Sequence, residues 1–365
     1  EAESLIAHGY DVSVIALRKN HQKSHERFKD INVYRIPELV LFRSEPKFSK
    51  HFLHQSLTRF HQVAKYGTEY IYFTTACFFV SLKLYANNRF DVVHFHNPPD
   101  TLFIISLFYR ILGKNCVFDH HDLSPELFSV KFKSKFGFIK KLLIAFEGLS
   151  CRLANVVICS NASYKQIDKV RHGIDDSKIF VVRNNPRIRP YPKEIHRNTP
   201  SDTPRILYVG SINPQDGVDL LIVSLEKLYY KLNTQNFKCD IVGDGDSLEN
   251  VIELAKQKRI DHKIKFHGYI FERDTIFSLL DSADICVEPA PENELNRHST
   301  FIKIMEYMSA GKPIVAFDMK ENRFSAGSSA IFVQNKNIDE FAFAIKQLLE
   351  DENKRKQMGF AGRKR

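Results

Sequence analysis

The sequence predicts a two-domain α/β protein in which each domain holds a parallel β-sheet between layers of helices. Its 365 residues are enough for two separate hydrophobic cores. Short apolar runs suited to buried strands alternate with segments of helical periodicity. A polar, proline-rich stretch without periodicity lies between the two halves. We therefore predict domains at 1–185 and 205–365, joined by a linker at 186–204.

The first half predicts a Rossmann-like domain. Residues 1–8 have the pattern of a helix end, so we expect a strand and a glycine-rich turn to precede them. Residues 37–67 are expected to be irregular. Strands are predicted at 11–17, 31–36, within 91–99 together with its exit loop, and at 115–118, 155–159 and 178–182, with helices at 68–86, 102–112 and up to about 153.

The second half repeats the alternation and predicts a second Rossmann-like domain. Ser299 or Thr300 is the expected N-cap of a helix with apolar spacing from Ile302, and Gly311 should end it. Strands are predicted at 205–209, 239–243, 264–266, 284–287, 313–317 and within 325–333, with helices at 218–232, from 247, and at 339–349.

The amino-acid composition bears on disulfides, membrane spans and charged partners. Six scattered cysteines without a CxxC pair favour buried free thiols over disulfides or a zinc site. No apolar run reaches the roughly 18 residues that span a bilayer. The formal net charge of +10 is concentrated in the first 200 residues, which suggests an anionic partner there, with lysine-rich composition without any partner as the alternative.

The helix after residue 301 carries the clearest candidate chemistry. A polar loop that feeds a helix beyond a parallel strand is where α/β folds bind phosphorylated ligands. Lys303 and Glu306 are three residues apart and share a helix face. The ammonium could bind phosphate oxygens and the carboxylate could accept ribose hydroxyls. A helix that only packs, with two exposed charges, is the simpler alternative.

Two consecutive strands of the first half end in histidine-rich loops. His94 and His96 close one strand and Asn97 follows; His120, His121 and Asp122 close the next. Both loops should lie at the same carboxyl edge of a sheet, where ligands bind. The four histidines also suit a metal, but no HxxxH or HExxH spacing is present, and ordinary hydrogen-bonded loop histidines remain an alternative.

These motifs together resemble retaining family-4 glycosyltransferases of the GT-B fold, whose two Rossmann-like domains face each other across a cleft. The run from Glu306 to Pro313 (EYMSAGKP) matches the second half of the family's donor-site motif. The Asp-x-x-His-x-His strand ending at His96 and the His-Asp-Leu-x-Pro-Glu loop from His121 match its first domain. The resemblance covers nearly the whole chain.

The resemblance implies an enzyme that moves a sugar from a nucleotide-sugar to an acceptor hydroxyl with retention, without a cofactor or metal. It places His121, Lys303 and Glu306 at the reaction, with His96, Asn97 and Asp122 on the acceptor side. The implied donor-binding residues are Gly210, Gln215, Asp216, Gly217, Gly243, Gly268, Tyr269, Ile270, Ser299 and Thr300.

The chain departs from the family pattern at two places. The first Glu of the donor motif is replaced by His298, eight residues before Glu306. The loop after residue 209 has Ser211 and Asp216 where many members carry an Arg and a Lys that bind the diphosphate. Lys303 is therefore the main cation left for the phosphates. A tight loop with no ligand is the alternative for 210–217.

The setting that the resemblance implies is bacterial surface-polysaccharide or lipopolysaccharide synthesis on a lipid-linked or saccharide acceptor. Lys and Phe interleave in residues 128–141, which suits an anionic membrane as well as it suits a solvated helix start. We expect a cytoplasmic protein, with peripheral attachment to the inner face of the cell membrane as an option.

Three other functions share some of these features. A nucleotide-sugar epimerase would have the same fold, and the departures from the motif would suit a non-catalytic nucleotide-binding paralogue. A nucleic-acid-binding module would explain the positive charge, but no nucleic-acid motif supports it. We expect no nucleic-acid partner.

Overall fold

A computed structural model describes residues 1–19, 22–39, 52–132, 137–184, 186 and 203–365. The chain forms two compact units. Unit 1 comprises Glu1–Phe128, Ser134–Cys159 and Ile167–Phe180, and unit 2 comprises Ser129–Lys133, Ser160–Gln166 and Val181–Arg365. Most of the predicted linker lies outside the described residues and stays a prediction.

Unit 1 alternates helices and strands over most of its length. Its helices are α1 (Ala2–Ala7), α2 (Phe52–Asn88), α3 (Phe103–Ile111), α4 (Ser124–Phe132), α5 (Gly137–Leu153) and α6 (Ala162–His172). The last turn of α4 and the start of α6 belong to unit 2. Its strands are β1 (Ser13–Arg18), β2 (His25–Phe28), β3 (Ile31–Pro37), β4 (Val92–His96), β5 (Asn115–His120), β6 (Val156–Cys159) and β7 (Ile179–Val181).

The described strands of unit 1 form two sheets. One has the order β1-β3-β2, with β1 parallel and β2 antiparallel to β3. The other has the order β4-β5-β6-β7, and β4, β5 and β6 run parallel. Since His96 is in register with Asp119, the ends of β4 and β5 meet at one sheet edge, as predicted.

Unit 2 holds one parallel sheet flanked by helices. Its strands are β8 (Arg205–Val209), β9 (Lys238–Val242), β10 (Ile264–Gly268), β11 (Ile285–Glu288), β12 (Ile314–Phe317) and β13 (Ala330–Val333). Its helices are α7 (Val218–Glu226), α8 (Leu248–Gln257), α9 (Arg273–Ser282), α10 (Ile302–Ser309), α11 (Lys320–Ala326), α12 (Ile338–Glu350) and α13 (Glu352–Lys364). The strand order is β10-β9-β8-β11-β12-β13, and every pair is parallel.

The sheet of unit 2 lies between two apolar clusters, because its strands alternate buried side chains toward both faces. Ile206, Tyr208 and Ile285 contribute to one cluster with helices α7 and α12. Leu207 and Cys286 contribute to the other with helix α10. These buried strands are the continuous apolar runs by which the sequence predicted them.

Several local predictions were wrong. Residues 52–67 belong to the long helix α2 and are not irregular. Strand β2 and helices α6 and α11 were not predicted, and α11 occupies residues assigned in part to a strand at 325–333. The α/β class with parallel sheets in two domains is confirmed. None of the described helices combines the length and apolar character that crossing a bilayer would need.

Candidate functional site

The donor-side candidates lie where the strand order of unit 2 reverses. The chain adds β9 and β10 on one side of β8, and β11, β12 and β13 on the other. The loops that leave β8 and β11 therefore lie beside this switch point at the carboxyl edge of the sheet, where such folds usually have their ligand crevice. Residues 210–217 follow β8 and residues 289–301 follow β11.

Glycines let the loops at this edge pack backbone against backbone. A Cβ on Gly243 would lie 1.8 Å from Gly210 O, and a Cβ on Gly217 would lie 2.1 Å from Pro289 O. Both glycines also have positive φ, of 143° and 69°. The predicted glycines 210, 217 and 243 therefore build the crevice walls, where a side chain would not fit.

Lys303 crosses the floor of this crevice from the first turn of α10. Its Nζ lies 3.0 Å from Glu288 Oε2 and donates to Tyr208 Oη at 3.1 Å. A Cβ on Gly210 would lie 2.7 Å from Lys303 Cε, so the missing side chain there makes room for the lysine. Burial acts to lower the pKa of Lys303, but the Glu288 carboxylate outweighs it and raises that pKa above its usual value.

The Lys303 ammonium keeps donor capacity for a ligand. One of its three protons goes to Tyr208 Oη, and a second faces Glu288 Oε2 in an ion pair without hydrogen-bond geometry. Its side chain is 11% exposed, so the third proton can reach a molecule in the crevice. The ion pair holds the cation in place at the end of β11, where an incoming phosphate oxygen would meet it.

Glu306 lies one turn further along α10 and is half-buried. Its carboxylate accepts no hydrogen bond from the described residues. Burial raises the pKa of Glu306, and the charges of Arg273 and Lys303 oppose that rise only partly. A half-buried acceptor without a partner is suited to ligand hydroxyls.

The loop after β8 is held by its own polar groups. Asp216 Oδ2 accepts from the Asn213 N–H at 2.9 Å, and Gln215 O accepts from Asn296 Nδ2 at 2.8 Å. Burial raises the pKa of Asp216. Asp216 and Gln215 thus lie in the crevice, but Asp216 adds negative charge where a diphosphate would need positive charge.

Ser299 and Thr300 do not cap α10, contrary to the predicted N-cap. The N-cap is Phe301, without a side-chain cap. Ser299 Oγ donates to Leu295 O at 3.0 Å. Within unit 2, Thr300 Oγ1 accepts from Asn161 Nδ2 at 3.0 Å and donates to Glu321 Oε2 at 3.4 Å. Both hydroxyls hold the loop, because these local partners compete with capping.

The loop after β10 brings two aromatic rings to the surface. Tyr269 and Phe271 are exposed and meet edge to face, with ring centroids 4.6 Å apart. Gly268 O accepts from Gly243 N at 2.9 Å, which ties this loop to the crevice wall, while Ile270 packs on the nearby core. Phe271 was not predicted as a site residue.

The acceptor-side candidates surround Asp119, at the carboxyl edge of the four-stranded sheet of unit 1. Asp119 Oδ2 lies 3.2 Å from His121 Nε2, 3.3 Å from His96 Nδ1 and 3.7 Å from His94 Nε2. Burial acts to raise the pKa of Asp119, but the three imidazoles outweigh it and hold it well below its usual range. The Asp119 carboxylate in turn raises the pKa of His121.

The side-chain amide of Asn97 connects the loops after β4 and β5 by hydrogen bonds, which use both its oxygen and its nitrogen and leave neither for a ligand. Its Oδ1 accepts from the backbone N–H groups of His121 and Asp122 at 2.9 and 3.2 Å. Its Nδ2 donates to Asp122 O at 2.6 Å and to Asp100 Oδ1 at 3.0 Å. Asn97 is only 3% exposed, so its role is to fix the backbone that carries His121. The structure also places Asp122 in this loop, where burial raises its pKa.

A buried network of charged side chains holds the start of the loop that carries His121. His120 Nδ1 lies 3.0 Å from Asp168 Oδ1, and its Nε2 lies 3.6 Å from Glu147 Oε2. His172 and Arg171 also contact Glu147. Although burial opposes the charge, Asp168 raises the pKa of His120 well above its usual value. The network fixes the residue that precedes His121.

The predicted residues thus form two groups, one at each unit's sheet edge. Glu288, Asn296 and Asp119 were missed. Glu288 and Asp119 could have been found from the sequence, because each is a carboxylate that directly follows an apolar run in a strand, ICV in β11 and CVF in β5. No pattern in the sequence of its loop distinguishes Asn296 from its neighbours.

Comparisons with known proteins show which family the chain belongs to. The family described as "Glycosyltransferase Family 4" matches residues 1–184, and the one described as "Glycosyl transferases group 1" matches residues 193–365. An uncharacterized glycosyltransferase of Methanocaldococcus jannaschii is 25% identical over 364 residues, with 96% of this chain and 83% of that protein covered.

Two further comparisons are with a relative whose biosynthetic role is named and with a solved structure. An O-antigen biosynthesis glycosyltransferase of Escherichia coli, WclY, is 25% identical over 210 residues, which cover 53% of each protein. The crystal structure of Anabaena HepE in complex with UDP-glucose has a TM-score of 0.66 at 18% identity, covering 92% of this chain and 81% of that one. Family, relatives and fold agree, and the chain belongs to glycosyltransferase Family 4, as an enzyme with the GT-B fold.

Proposed function

We propose that this glycosyltransferase moves a sugar from a nucleoside-diphosphate sugar to an acceptor hydroxyl with retention at the anomeric carbon. The observation that carries the proposal is the pair on α10, where the buried Lys303 keeps one ammonium proton for a phosphate and Glu306 keeps an unpartnered carboxylate one turn away. The UDP-glucose complex of the similar Anabaena protein supports this class of donor.

The proposed reaction uses no metal. The acceptor oxygen attacks the anomeric carbon on the face from which the diphosphate departs. The bond from that carbon to the phosphate oxygen breaks, and the hydroxyl proton passes to a leaving phosphate oxygen. Lys303 stabilises the negative charge that develops on the diphosphate. Glu306 accepts hydrogen bonds from donor hydroxyls, and His121 contacts the donor sugar or its leaving phosphate.

The exposed rings after β10 suggest where the base would bind. Base–aromatic stacking is tolerant of sequence and contributes about 1–3 kcal/mol per base. Tyr269 and Phe271 offer ring faces beside the backbone of Gly268. We propose that this loop binds the base and that the backbone selects which base is accepted.

Ligand-induced stabilisation tests the donor site. Each of UDP, GDP, ADP, CMP and their sugar conjugates is added at about 100 times its dissociation constant, where binding should stabilise by about 2.7 kcal/mol. We expect one diphosphonucleotide class to raise the melting temperature, and the rise to vanish in Lys303→Ala and Glu306→Ala. Lys356→Ala is the matched control, since Lys356 is an exposed lysine in an i,i+4 pair on α13.

Product analysis tests the chemistry. With the stabilising donor and a saccharide or lipid-linked acceptor, we expect release of the nucleoside diphosphate and a product with the anomeric configuration of the donor. An inverted product would contradict the retaining reaction. Epimerised nucleotide-sugar formed without an acceptor would instead show the epimerase alternative.

We further propose that the enzyme builds a cell-surface polysaccharide or glycolipid at the cytoplasmic face of an anionic membrane. The O-antigen relative supports the acceptor class. Helices α3 and α5 of unit 1 expose apolar side chains on their outer faces: Ile104, Leu107 and Ile111 on α3, and Phe138, Leu142 and Leu149 on α5. Lys141 is exposed on the same face of α5 as Phe138 and Leu142. An apolar surface with basic side chains suits an anionic lipid interface.

Vesicle sedimentation tests this attachment. We expect binding at low salt to vesicles of anionic lipid and little binding to neutral vesicles. The double variant Phe138→Ser/Lys141→Glu should bind less, whereas Phe360→Ser, at an exposed ring of unit 2, should bind like the unaltered protein. Absence of binding to anionic vesicles would contradict the membrane proposal and leave the transfer reaction untouched.

A further inference from the structure

Three imidazoles converge on one carboxylate in unit 1. His94 and His96 are two residues apart on β4, so their side chains leave the same face of the sheet. Asp119 faces them from the neighbouring strand, in register with His96. The rings of His94 and His96 stack with centroids 4.6 Å apart, and His121 stacks on His96 at 5.2 Å.

The contacts in this cluster do not have hydrogen-bond geometry. Asp119 Oδ2 is buried and has no hydrogen-bond partner among the described residues, although imidazole nitrogens lie 3.2–3.7 Å from it. His94 Nε2 is likewise buried without such a partner. A buried carboxylate is costly unless it is paired or coordinates a metal. The lone pairs of Asp119 Oδ2 and His94 Nε2 are thus available to a cation.

The spacing of these atoms fits a small metal ion. One potential ligand atom from each of Glu1, His94, His96 and Asp119 lies within 4.8 Å of all the others. Tetrahedral zinc with bonds of about 2.0–2.1 Å keeps its ligand atoms about 3.3 Å apart. Asp119 Oδ2 is 3.3 Å from His96 Nδ1 and 3.7 Å from His94 Nε2, which is close to that separation. The stacked rings of His94 and His96 would have to tilt so that both lone pairs point at one ion.

We propose that His94, His96 and Asp119 form a binding site for a divalent transition-metal ion of the zinc type. Imidazole nitrogens with one carboxylate suit zinc, whereas magnesium prefers oxygen ligands and octahedral geometry. Glu1 Oε2 lies 3.9 Å from His96 Nε2, on the other side of that ring from Nδ1, and water can complete the coordination. Strand register places the three ligands before any ion arrives.

The ion would inhibit transfer, and this part rests on the proposed function. His121 Nε2 lies 3.2 Å from the same Asp119 oxygen that the metal would bind. A bound cation would take that carboxylate from His121 and would stand beside the imidazole proposed to contact the donor sugar. It would also occupy His96, which is expected on the acceptor side.

Calorimetric titration tests the site without requiring turnover. The full chain, made without a histidine tag and treated with chelator, is titrated with zinc chloride and separately with magnesium chloride. We expect one zinc per chain and no magnesium binding. His94→Gln and His96→Gln should each weaken zinc binding by about 100-fold, since even residues that support metal ligands contribute 10- to 100-fold. His25→Gln, at an exposed histidine of the same unit, is the matched control.

Two results would overturn the site. One is failure of the unaltered protein to bind zinc, and the other is zinc binding that His94→Gln and His96→Gln leave unchanged. Substitution by cobalt gives a second readout, because visible absorption of the tetrahedral type should appear in the unaltered protein and be lost in both variants.

The activity arm tests the inhibition separately. We expect zinc to suppress sugar transfer and chelator to restore it fully, both in the unaltered enzyme and in His25→Gln. Transfer that requires zinc, or that is insensitive to it when the site is filled, would overturn the inhibitory role. A protein that binds zinc at these residues but transfers no sugar would contradict the proposed function alone.

Discussion

Lys303 and Glu288 form a buried ion pair, with Nζ 3.0 Å from Oε2, at the edge of the unit 2 sheet. Glu288 ends a strand and Lys303 begins a helix, and the loop 289–301 runs between them. The pair closes this loop at its base and aims a cation into the crevice. We propose that this one contact serves both the stability of unit 2 and its affinity for an anion.

These two roles separate in a pair of variants. Lys303→Met leaves Glu288 buried without a counter-charge, which typically costs about 3–5 kcal/mol. At about 2–4 °C per kcal/mol for a domain of this size, the melting temperature should fall by roughly 10 °C. Adding Glu288→Gln should recover much of that loss, because the unpaired charge is gone, whereas stabilisation by the donor should stay absent. A double variant that again responds to the donor would show that Lys303 does not contact it.

Glu306→Gln should lower the affinity for the donor and leave the stability of the protein almost unchanged. Glu306 has no ion pair among the described residues, so the melting temperature should change by the equivalent of less than about 0.5 kcal/mol. A carboxylate bound to ligand hydroxyls contributes about 1.5–3 kcal/mol, so donor affinity should fall about 10- to 100-fold. Calorimetry with the identified donor measures this, with Glu249→Gln on an exposed face of α8 as the control. Unchanged affinity would remove Glu306 from the donor site.

Gly243→Ala should be far more damaging than Gly268→Ala. Both glycines have positive φ, of 143° and 67°, so each substitution strains the backbone. In the αL region of Gly268 that strain is about 1–2 kcal/mol, and no atom lies within 4 Å of the new Cβ. At Gly243 the Cβ would lie 1.8 Å from Gly210 O, so two loops must separate and the cost should exceed about 4 kcal/mol. Equal melting temperatures for the two variants would refute this packing.

Asp100 should make unit 1 sensitive to pH. Burial raises the pKa of Asp100 to about 6, although the nearby Ser124 hydroxyl, the charge of His120 and a hydrogen bond from Asn97 oppose the rise and Glu147 adds to it. The folded chain thus binds this proton more tightly than the unfolded chain, so the contribution to stability is present at low pH and falls as pH rises from about 4 to 6. Asp100→Asn should flatten the profile by up to about 3 kcal/mol.

Thermal unfolding at a series of pH values measures this effect as the difference between Asp100→Asn and the unaltered protein. Asp30→Asn, at an exposed carboxylate, should leave the profile unchanged. A difference between the Asp100→Asn variant and the unaltered protein that is constant across this pH range would contradict the raised pKa.

The sheets were readable from sequence because buried parallel strands are short apolar runs. Strand β8 was predicted at its observed bounds, and β9, β11 and β12 within one or two residues. Strand β2 escaped notice because it is short and exposed and pairs as an antiparallel edge. The first part of α2 was missed because polar residues and Gly67 interrupt its apolar spacing.

The sequence predicted only part of the site, and the reason differs from the one that applies to the missed strand and helix. Strand ends and the residue types there placed His96, His121 and Lys303 at sheet edges. Which side chains pair with them depends on packing across loops. The link from Lys303 to Glu288 spans fifteen positions and the link from His121 to Asn97 spans twenty-four, and no local pattern encodes either contact. Such partners decide whether a residue faces a ligand or holds a loop.

The six cysteines are all free and buried, and they divide between the two units. Cys77, Cys116, Cys151 and Cys159 lie in unit 1, and Cys239 and Cys286 lie in unit 2. Since burial raises the pKa of these thiols, an alkylating reagent can modify them only when the surrounding unit opens. Pulsed alkylation followed by mass spectrometry would therefore time the opening of each unit separately in one sample. A donor that binds unit 2 should slow the labelling of Cys239 and Cys286 and leave the labelling rate of the four thiols in unit 1 unchanged.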